Sequence, residues 1–358
     1  MRKQEKFITN GAIYGGIGFF LLNLLNQYLE TRKQEIPFWE NYDGRQAFLE
    51  GLKGVLFGGA IGWAFYEIQK WDEKDFPFCP DNHLHQILSK SSMNNDPTLL
   101  AKGKEIIKEL KDFFVFEYNE MLVDSPRQFG STVQRTAIGG SSDFDLLVPF
   151  RKGTMSLEGI YEDAYCRLQN RFINSCFELR KQRHSIGLSY DDGKNSIHFD
   201  IVTAKERNDY FVTGDLTIQR RAMGTYETPT HIKTNIWKKN QHVVNRPEVR
   251  RIVRLLKIYN KDNNIGLNPT AITTLVKDAH DKNAGYVNSS VFNNLTLSMS
   301  YIADQVLNRQ NLKDVANSNI NLLGDITPSK REEISNFILS DLNKINNNPN
   351  YLKEIYQL

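Results

Sequence analysis

The sequence has few cysteines and no spacing that would pair them. Its three cysteines, an odd number in 358 residues, predict free thiols in a reducing compartment and exclude a disulfide framework; they are Cys79, Cys166 and Cys176. His83 and His85 follow Cys79 closely, but no second cysteine pair lies nearby. Because structural zinc sites have four ligands, we expect a plain loop leading into a helix here and no zinc site.

The sequence also lacks a strong charge of either sign. Lys and Arg number 45 against 42 Asp and Glu, which gives a formal net charge of +3. Long nucleic acids are bound mainly through many positive charges, so this balance does not require a nucleic-acid partner. Hydrophobic residues make up 40% of the chain, enough for a sizeable core, and this excludes a largely disordered protein.

Charged residues are absent from Phe7 to Leu29, a run long enough to span a bilayer as a helix. A second apolar segment has Gly54, Gly58 and Gly62 four residues apart, the spacing that lets membrane helices pack closely. We therefore expect residues 1–70 to form a two-helix transmembrane hairpin, with helices at about 8–29 and 48–68, that supports a homo-oligomer. The alternative is a soluble oligomerisation element.

Positive residues precede the first of these helices, at Arg2, Lys3 and Lys6. Because such residues favour the cytoplasmic side, both ends of the hairpin are expected to face the cytoplasm. The expected localisation is the cell inner membrane, multi-pass, with the remaining chain in the cytoplasm. The charged, proline-bearing stretch 71–96 is expected to be a linker.

The strongest chemical signal is a Gly-Ser pair followed, after eleven residues, by Asp-Phe-Asp at 143–145. Successive side chains of a strand point to opposite faces, so Asp143 and Asp145 share one face and Phe144 lies on the other. Gly130 allows backbone amides to approach an anion closely, and Ser131 adds a hydroxyl. This pattern is typical of a phosphate-binding turn beside two metal-binding carboxylates, although an Asp-x-Asp pair alone is more typical of a solvated turn or strand edge.

A second alternating strand is predicted at 196–202 and supplies a third carboxylate. Ile197, Phe199 and Ile201 are expected to point inward, while His198 and Asp200 point outward. Three carboxylates on one sheet repel each other unless divalent cations lie between them. The sequence therefore predicts two Mg²⁺ ions, with Mn²⁺ as the alternative, held by Asp143, Asp145 and Asp200. Taken alone, Asp200 is also compatible with a strand-end cap.

Residues 130–138 read Gly-Ser-Thr-Val-Gln-Arg-Thr-Ala-Ile, 142–146 read Ser-Asp-Phe-Asp-Leu, and 199–204 read Phe-Asp-Ile-Val-Thr-Ala. Together they resemble the signature of polymerase-beta-type nucleotidyltransferases. More narrowly, they resemble the bacterial CD-NTases of CBASS antiphage systems, relatives of cyclic GMP-AMP synthase and oligoadenylate synthase. Residues 254–259, Arg-Leu-Leu-Lys-Ile-Tyr, are similar to a helical motif of that family. Two departures are Thr203 in place of the usual proline and Ala271–Leu275 in place of a helix carrying glutamate, so no base-recognition role is carried over there.

The resemblance implies an α+β fold: a polymerase-beta-type nucleotidyltransferase core, a small mixed sheet with helices, at 97–230 and a helical C-terminal lobe at 231–358. It implies that Asp143, Asp145 and Asp200 are catalytic. It also implies a set of residues that bind the nucleotide: Gly130, Ser131, Gln134, Arg135, Thr136, Ser142, Arg254 and Lys257.

The motif at 254–259 lies on a helix that the residues themselves predict. Pro247 suits a first helical turn, and a positive stripe follows at helical spacing; it consists of Arg250, Arg254, Lys257 and Lys261. The stripe could line a nucleotide-binding cleft or be an ordinary solvated face, and Lys257 is favoured for function because it occupies the motif position.

The function expected from the resemblance is that of a membrane-anchored, Mg²⁺-dependent enzyme. It would make a cyclic di- or trinucleotide second messenger from nucleoside triphosphates, ATP among them, and release pyrophosphate in antiphage signalling. A downstream effector would be reached through the product and not by direct binding. Two alternatives remain: a linear 2′-5′ oligonucleotide synthase or protein nucleotidyltransferase, and a nucleotide-sensing membrane effector without catalysis.

Overall fold

The computed structural model describes residues 78–92, 95–139, 143–172, 176–194, 196–224 and 226–357. The helices are α1 (Pro80–Lys90), α2 (Pro97–Tyr118), α3 (Gly130–Val133), α4 (Leu157–Phe172), α5 (Tyr210–Thr213), α6 (Ile236–Gln241), α7 (Pro247–Asp262), α8 (Pro269–Lys282), α9 (Val291–Asn308), α10 (Pro328–Asn347) and α11 (Leu352–Ile355), with short 3₁₀ turns at Asn119–Met121 and Pro349–Tyr351. The strands are β1 (Arg127–Phe129), β2 (Phe144–Phe150), β3 (Phe177–Lys181), β4 (Ile186–Asp191), β5 (Ser196–Glu206), β6 (Leu216–Arg220) and β7 (Thr230–Thr234).

All seven strands join one mixed sheet in the order β1-β2-β5-β4-β3, with β6 paired to β5 and β7 paired to β6. The pair β2–β5 is parallel, and the other pairs are antiparallel. Strand β5 is the longest at 11 residues; its first part pairs with β4 and its last residues pair with β6. The small mixed sheet with helices that was expected for an α+β fold is therefore confirmed.

The two predicted alternating strands have the predicted faces. Phe144, Leu146 and Val148 of β2 are buried together with Phe199 and Ile201 of β5. Helices α2 and α4 cover this face with a row of apolar side chains: Ile106, Ile107, Leu110, Phe114, Ile160, Ala164 and Leu168. Burial of this face fixes the strand register, because a shift of one residue would turn the apolar set outward.

The opposite face of the sheet has a smaller core. Leu147, Val202 and Ala204 pack there with Leu216 of β6 and Ile236 of α6. The same face carries Asp145, two residues before Leu147. The carboxylates therefore lie at the border of an apolar cluster, where water is partly excluded.

Helix α7 begins at Pro247, as the sequence predicts, and buries one apolar face. That face consists of Val249, Ile252, Val253, Leu255, Leu256 and Tyr259. From its positive stripe, Lys257 contacts Thr136 in the segment that follows α3, whereas Arg254 contacts α1.

Two sequence expectations differ from the structure. Helix α1 lies inside the stretch 71–96 that was expected to be a linker. Strand β7 crosses the expected boundary between core and helical lobe at residue 230.

The described residues divide between two compact units: Asp81–Leu339 belongs to the first unit, and Ser340–Leu352 belongs to the second. The whole sheet and helices α7–α9 belong to the first unit. In the second unit, Asp341 accepts hydrogen bonds from Lys344 Nζ (3.3 Å) and from the Tyr351 hydroxyl (3.1 Å).

The expected multi-pass localisation in the inner membrane is contradicted. Over the ranges that the structure describes, every helix is too short or too polar to cross a bilayer. The expected hairpin helices, at about 8–29 and 48–68, lie outside those ranges.

Candidate active site

Two of the predicted carboxylates are cross-strand neighbours. Asp145 of β2 lies directly opposite Asp200 of β5 in the parallel register, and on its other side Asp145 pairs with Phe129 of β1. Residues in such a pair point to the same face of the sheet. The sheet thus places Asp145 and Asp200 side by side at the point where β1 runs into the Gly130 turn.

Gly130 makes room for the Asp145 carboxylate. Its φ of +79° lies in the left-handed region, and a Cβ added there would come 1.9 Å from Asp145 Oδ2. No side chain could occupy that position without moving the carboxylate. The glycine that was predicted to admit an anion therefore also admits Asp145 itself against the backbone.

The three predicted carboxylates lie close together, and Asp145 and Asp200 are partly shielded from water. Burial, and then the neighbouring charges of Asp200 and Asp143, raise the pKa of Asp145 to about 7, while Lys239 and Lys257 oppose the shift. Burial and then Asp143 also raise the pKa of Asp200. Mutual repulsion of this kind places all three predicted carboxylates in one electrostatic cluster.

Lys257 reaches the same cluster from α7. Its Nζ donates to the carbonyl oxygen (3.2 Å) and the hydroxyl (3.1 Å) of Thr136, which is fully buried. Burial lowers the pKa of Lys257 to about 8, and the charge of Asp145 opposes this lowering. The predicted residues Thr136 and Lys257 are thus joined next to the carboxylates.

A second lysine, Lys239 of α6, acts on Asp145 electrostatically, although no sequence motif indicates it. Its carbonyl oxygen accepts a hydrogen bond from Gln134 Nε2 at 2.7 Å, and its Nζ lies 3.8 Å from Asp314 Oδ2. The pair Lys238-Lys239 lies on a six-residue helix and matches no sequence motif. Only the fold, which brings α6 against α3, reveals this lysine.

The β3–β4 turn, residues 182–185, contributes two further residues that the sequence did not indicate. The side chains of Gln182 and Ser185 and the charge of Arg180 all favour the ionised form of Asp200, so they lower its pKa against the larger effect of burial. Their position depends on the β3–β4 pairing, which no local sequence pattern specifies.

The other predicted nucleotide-binding residues lie in different settings. Arg254 donates to the carbonyl oxygen of Leu88 and to Ser91 Oγ (3.2 Å), so its guanidinium joins α7 to α1. Arg135 is exposed, with a left-handed φ of +58°. The carbonyl oxygen of Ser131 accepts the amide of Thr136 at 2.9 Å. Ser142 lies outside the described residues.

The donor chemistry of this cluster fits a hard divalent cation, since carboxylate oxygens are the ligands that Mg²⁺ and Mn²⁺ prefer. Asp145 is largely buried and lies close to the charges of Asp200 and Asp143, which a divalent cation would neutralise. Within the described parts of the chain, no three His, Cys, Asp or Glu side chains are arranged as a ready metal-binding group.

No protein-family model and no curated protein matches the chain. Solved structures with the same fold do exist. The Bradyrhizobium diazoefficiens CD-NTase CdnG in complex with GTP aligns with a TM-score of 0.61 and 12% identity, over 79% of this chain and 97% of that chain.

The Escherichia coli MS115-1 protein CdnC with ATP aligns with a TM-score of 0.58 and 14% identity, over 77% of this chain and 96% of that chain. CdnC in its HORMA-deltaN complex aligns with a TM-score of 0.53 and 15% identity, over 72% of this chain and 90% of that chain. The chain therefore spans nearly the full length of this fold, and the likeness concerns the fold.

Proposed function

We propose that this chain is a nucleotidyltransferase that joins nucleoside triphosphates and releases pyrophosphate. The observation that carries the proposal is the placement of Asp145 beside Asp200 on parallel strands, with Asp143 in electrostatic reach and the Gly130 turn against Asp145. Phosphoryl and nucleotidyl transfer depend chiefly on positioning and on charge neutralisation. The cluster provides positioning on a rigid sheet, and Lys239 and Lys257 beside it provide positive charge.

Different residues are proposed to act on the two reacting groups, the donor triphosphate and the attacking hydroxyl. The turn at Gly130 and Ser131 is proposed to hold the donor triphosphate through backbone amides and a hydroxyl. Lys257 and Lys239 supply positive charge on the side of Asp145. Asp200 is proposed to face the attacking hydroxyl and take up its proton, a role that suits a carboxylate whose pKa is raised by burial and by Asp143.

Asp143, Asp145 and Asp200 are the residues that would hold Mg²⁺, or Mn²⁺ in its place. When bound, two such ions would neutralise the charge on the carboxylates and on the triphosphate. The burial of Asp145 and its closeness to Asp200 and Asp143 support this assignment, because its pKa of about 7 would fall once a cation lay beside it.

We further propose that the product is a cyclic di- or trinucleotide with ATP among the substrates, and that it signals to an effector in antiphage defence. The motif resemblance supports the cyclic product. The shared fold with structures titled as CdnG with GTP and CdnC with ATP supports nucleoside triphosphates as substrates.

The test is to incubate purified protein with Mg²⁺ and four labelled ribonucleoside triphosphates, treat the mixture with phosphatase and resolve the products by chromatography and mass spectrometry. A phosphatase-resistant oligonucleotide is expected, absent with Asp145→Asn and retained with Asp325→Asn, a matched change at an exposed aspartate. A phosphatase-sensitive oligonucleotide would show a linear product. Nucleotide binding without turnover would contradict the enzymatic proposal and favour a sensor.

A further inference from the structure

The β3–β4 turn packs closely against Asp200. In β4 the residue opposite Asp200 is Gly187, and a Cβ added to Gly187 would lie 2.7 Å from Gln182 Nε2 and 2.8 Å from Arg180 Nε. A side chain at position 187 would therefore displace the amide of Gln182. The glycine leaves the space beside Asp200 that this amide occupies.

The amide of Gln182 has a defined orientation. Ser185 Oγ donates a hydrogen bond to Gln182 Oε1, which fixes the oxygen of the amide toward the serine. The amide nitrogen, with its two N–H groups, is then left to donate, and it lies against Gly187, the cross-strand neighbour of Asp200. The serine thus determines that a donor faces the carboxylate.

The turn is itself held by α4. The hydroxyl of Tyr161 donates to the carbonyl oxygen of Ser185 at 3.0 Å. The backbone N–H of Gln182 donates in turn to the oxygen of that hydroxyl at 3.2 Å. Tyr161 is 2% exposed, and the guanidinium of Arg221 covers its ring at 4.4 Å. Because the turn is fixed to a buried tyrosine, Gln182 cannot easily follow Asp200 if that carboxylate rotates.

We propose that Gln182, oriented by Ser185 and Tyr161, is a positioning residue that sets the direction in which the Asp200 carboxylate presents its oxygens to a divalent cation. The inference rests on the proposed function, since it gives Asp200 a cation to bind. One carboxylate oxygen is engaged by the amide, and the other stays available to the cation. Partners of this kind commonly change metal affinity or activity by roughly 10- to 100-fold when removed.

The direct test is Mn²⁺ binding, measured by electron paramagnetic resonance on the full chain with Gln182→Met, which keeps the length of the side chain and removes the donor. We expect Mn²⁺ affinity to fall roughly 10- to 100-fold, and kcat to fall with it while KM for the nucleotide stays constant. Gln310→Met, at an exposed glutamine outside the sheet, is the matched control and should change neither.

Gln182→Glu separates orientation from space-filling. Glutamate has nearly the same shape, so a role in packing alone would leave Mn²⁺ affinity unchanged, whereas loss of the donor beside Asp200 should alter it. Ser185→Ala should give a smaller loss, because the amide is then free to rotate but still present.

Unchanged Mn²⁺ affinity in both Gln182 variants would overturn the proposal. If wild-type protein binds Mn²⁺ but transfers no nucleotide, the proposed function fails while the Mn²⁺ comparison still decides the role of Gln182. If wild-type protein neither binds Mn²⁺ nor transfers a nucleotide, both proposals are wrong.

Discussion

At the scale of single residues, Gly130 matters because its backbone lies directly against the Asp145 carboxylate. Gly130→Ala would place a Cβ 1.9 Å from Asp145 Oδ2 and would hold a non-glycine residue at a φ of +79°. The carboxylate must then move, and we expect kcat/KM to fall at least roughly 100-fold, because small misplacements of reacting groups are costly. Steady-state kinetics measure this.

Gly193→Ala is the matched control for that change. Gly193 has a φ of +80°, but nothing lies within 4 Å of an added Cβ. It therefore carries the same backbone strain without a clash, and its activity should stay close to that of the wild type. Equal losses in the two variants would mean that strain, and not the position of Asp145, limits the reaction.

The charge of Asp145 should destabilise the metal-free protein at neutral pH. Its pKa rises from an ordinary 3.8 to about 7, so folded protein holds the proton more tightly than unfolded protein does. Protonated Asp145 therefore stabilises the folded state. This stabilisation is complete below about pH 4 and is lost as pH rises toward 7, by on the order of 2–4 kcal/mol.

Asp145→Asn removes this charge, and its stability should depend less on pH. In metal-free buffer we expect its Tm to exceed that of the wild type at pH 8 and the difference to shrink at pH 4.5, as measured by calorimetry. A difference that does not depend on pH would contradict the assigned shift.

Lys257 should make substrate affinity depend on pH near 8. Its pKa is lowered to about 8 by burial, so its ammonium loses charge as pH rises through that value. We expect KM for the nucleotide to rise above pH 8 in the wild type, and to be high and nearly independent of pH over 7–9 in Lys257→Met. Lys261→Met, at the exposed end of α7, should keep the wild-type profile.

At the scale of elements, the positive stripe of α7 has two different uses. Lys257 points to Thr136 near the carboxylates, whereas Arg254 one turn earlier donates to Leu88 of α1. The sequence pattern placed both residues on one face, but it could not show which of them reaches the site. The position of α1, which decides this, depends on tertiary packing.

Arg254→Met should therefore affect stability and not nucleotide binding. Removing a charged donor from a part-buried carbonyl costs about 1–3 kcal/mol, to be measured by chemical denaturation. KM for the nucleotide should stay within about twofold, a change worth less than 1 kcal/mol. Arg207→Met, at an exposed arginine, is the control. A raised KM without lost stability would instead place Arg254 at the nucleotide.

Strands β2 and β5 could be predicted because every second residue in their first halves is apolar, which sets one face toward the core and places Asp145 and Asp200 on the other face. Strand β3 could not. Phe177 and Leu179 continue the apolar pattern of α4 and are only partly buried, so the strand is defined by its pairing with β4. For the same reason, Gln182 and Lys239 could not be identified as neighbours of the site: only register and packing bring them there.

At the scale of the whole molecule, the site belongs to one compact unit that includes the sheet and helices α7–α9. Its fold is that of the solved CdnG and CdnC structures, at 12–15% identity. At such low identity the fold persists through its apolar faces. The particular residues of the site, and not the fold alone, must therefore support a function.

The measurement that tests the central claim most directly is pyrophosphate release from nucleoside triphosphates with Mg²⁺, compared between the wild type, Asp145→Asn and the control Asp325→Asn. We expect release by the wild type and the control, loss of release with excess chelator, and no release by Asp145→Asn despite an unchanged fold. Release by Asp145→Asn at the wild-type rate would contradict the assignment of this cluster as the active site.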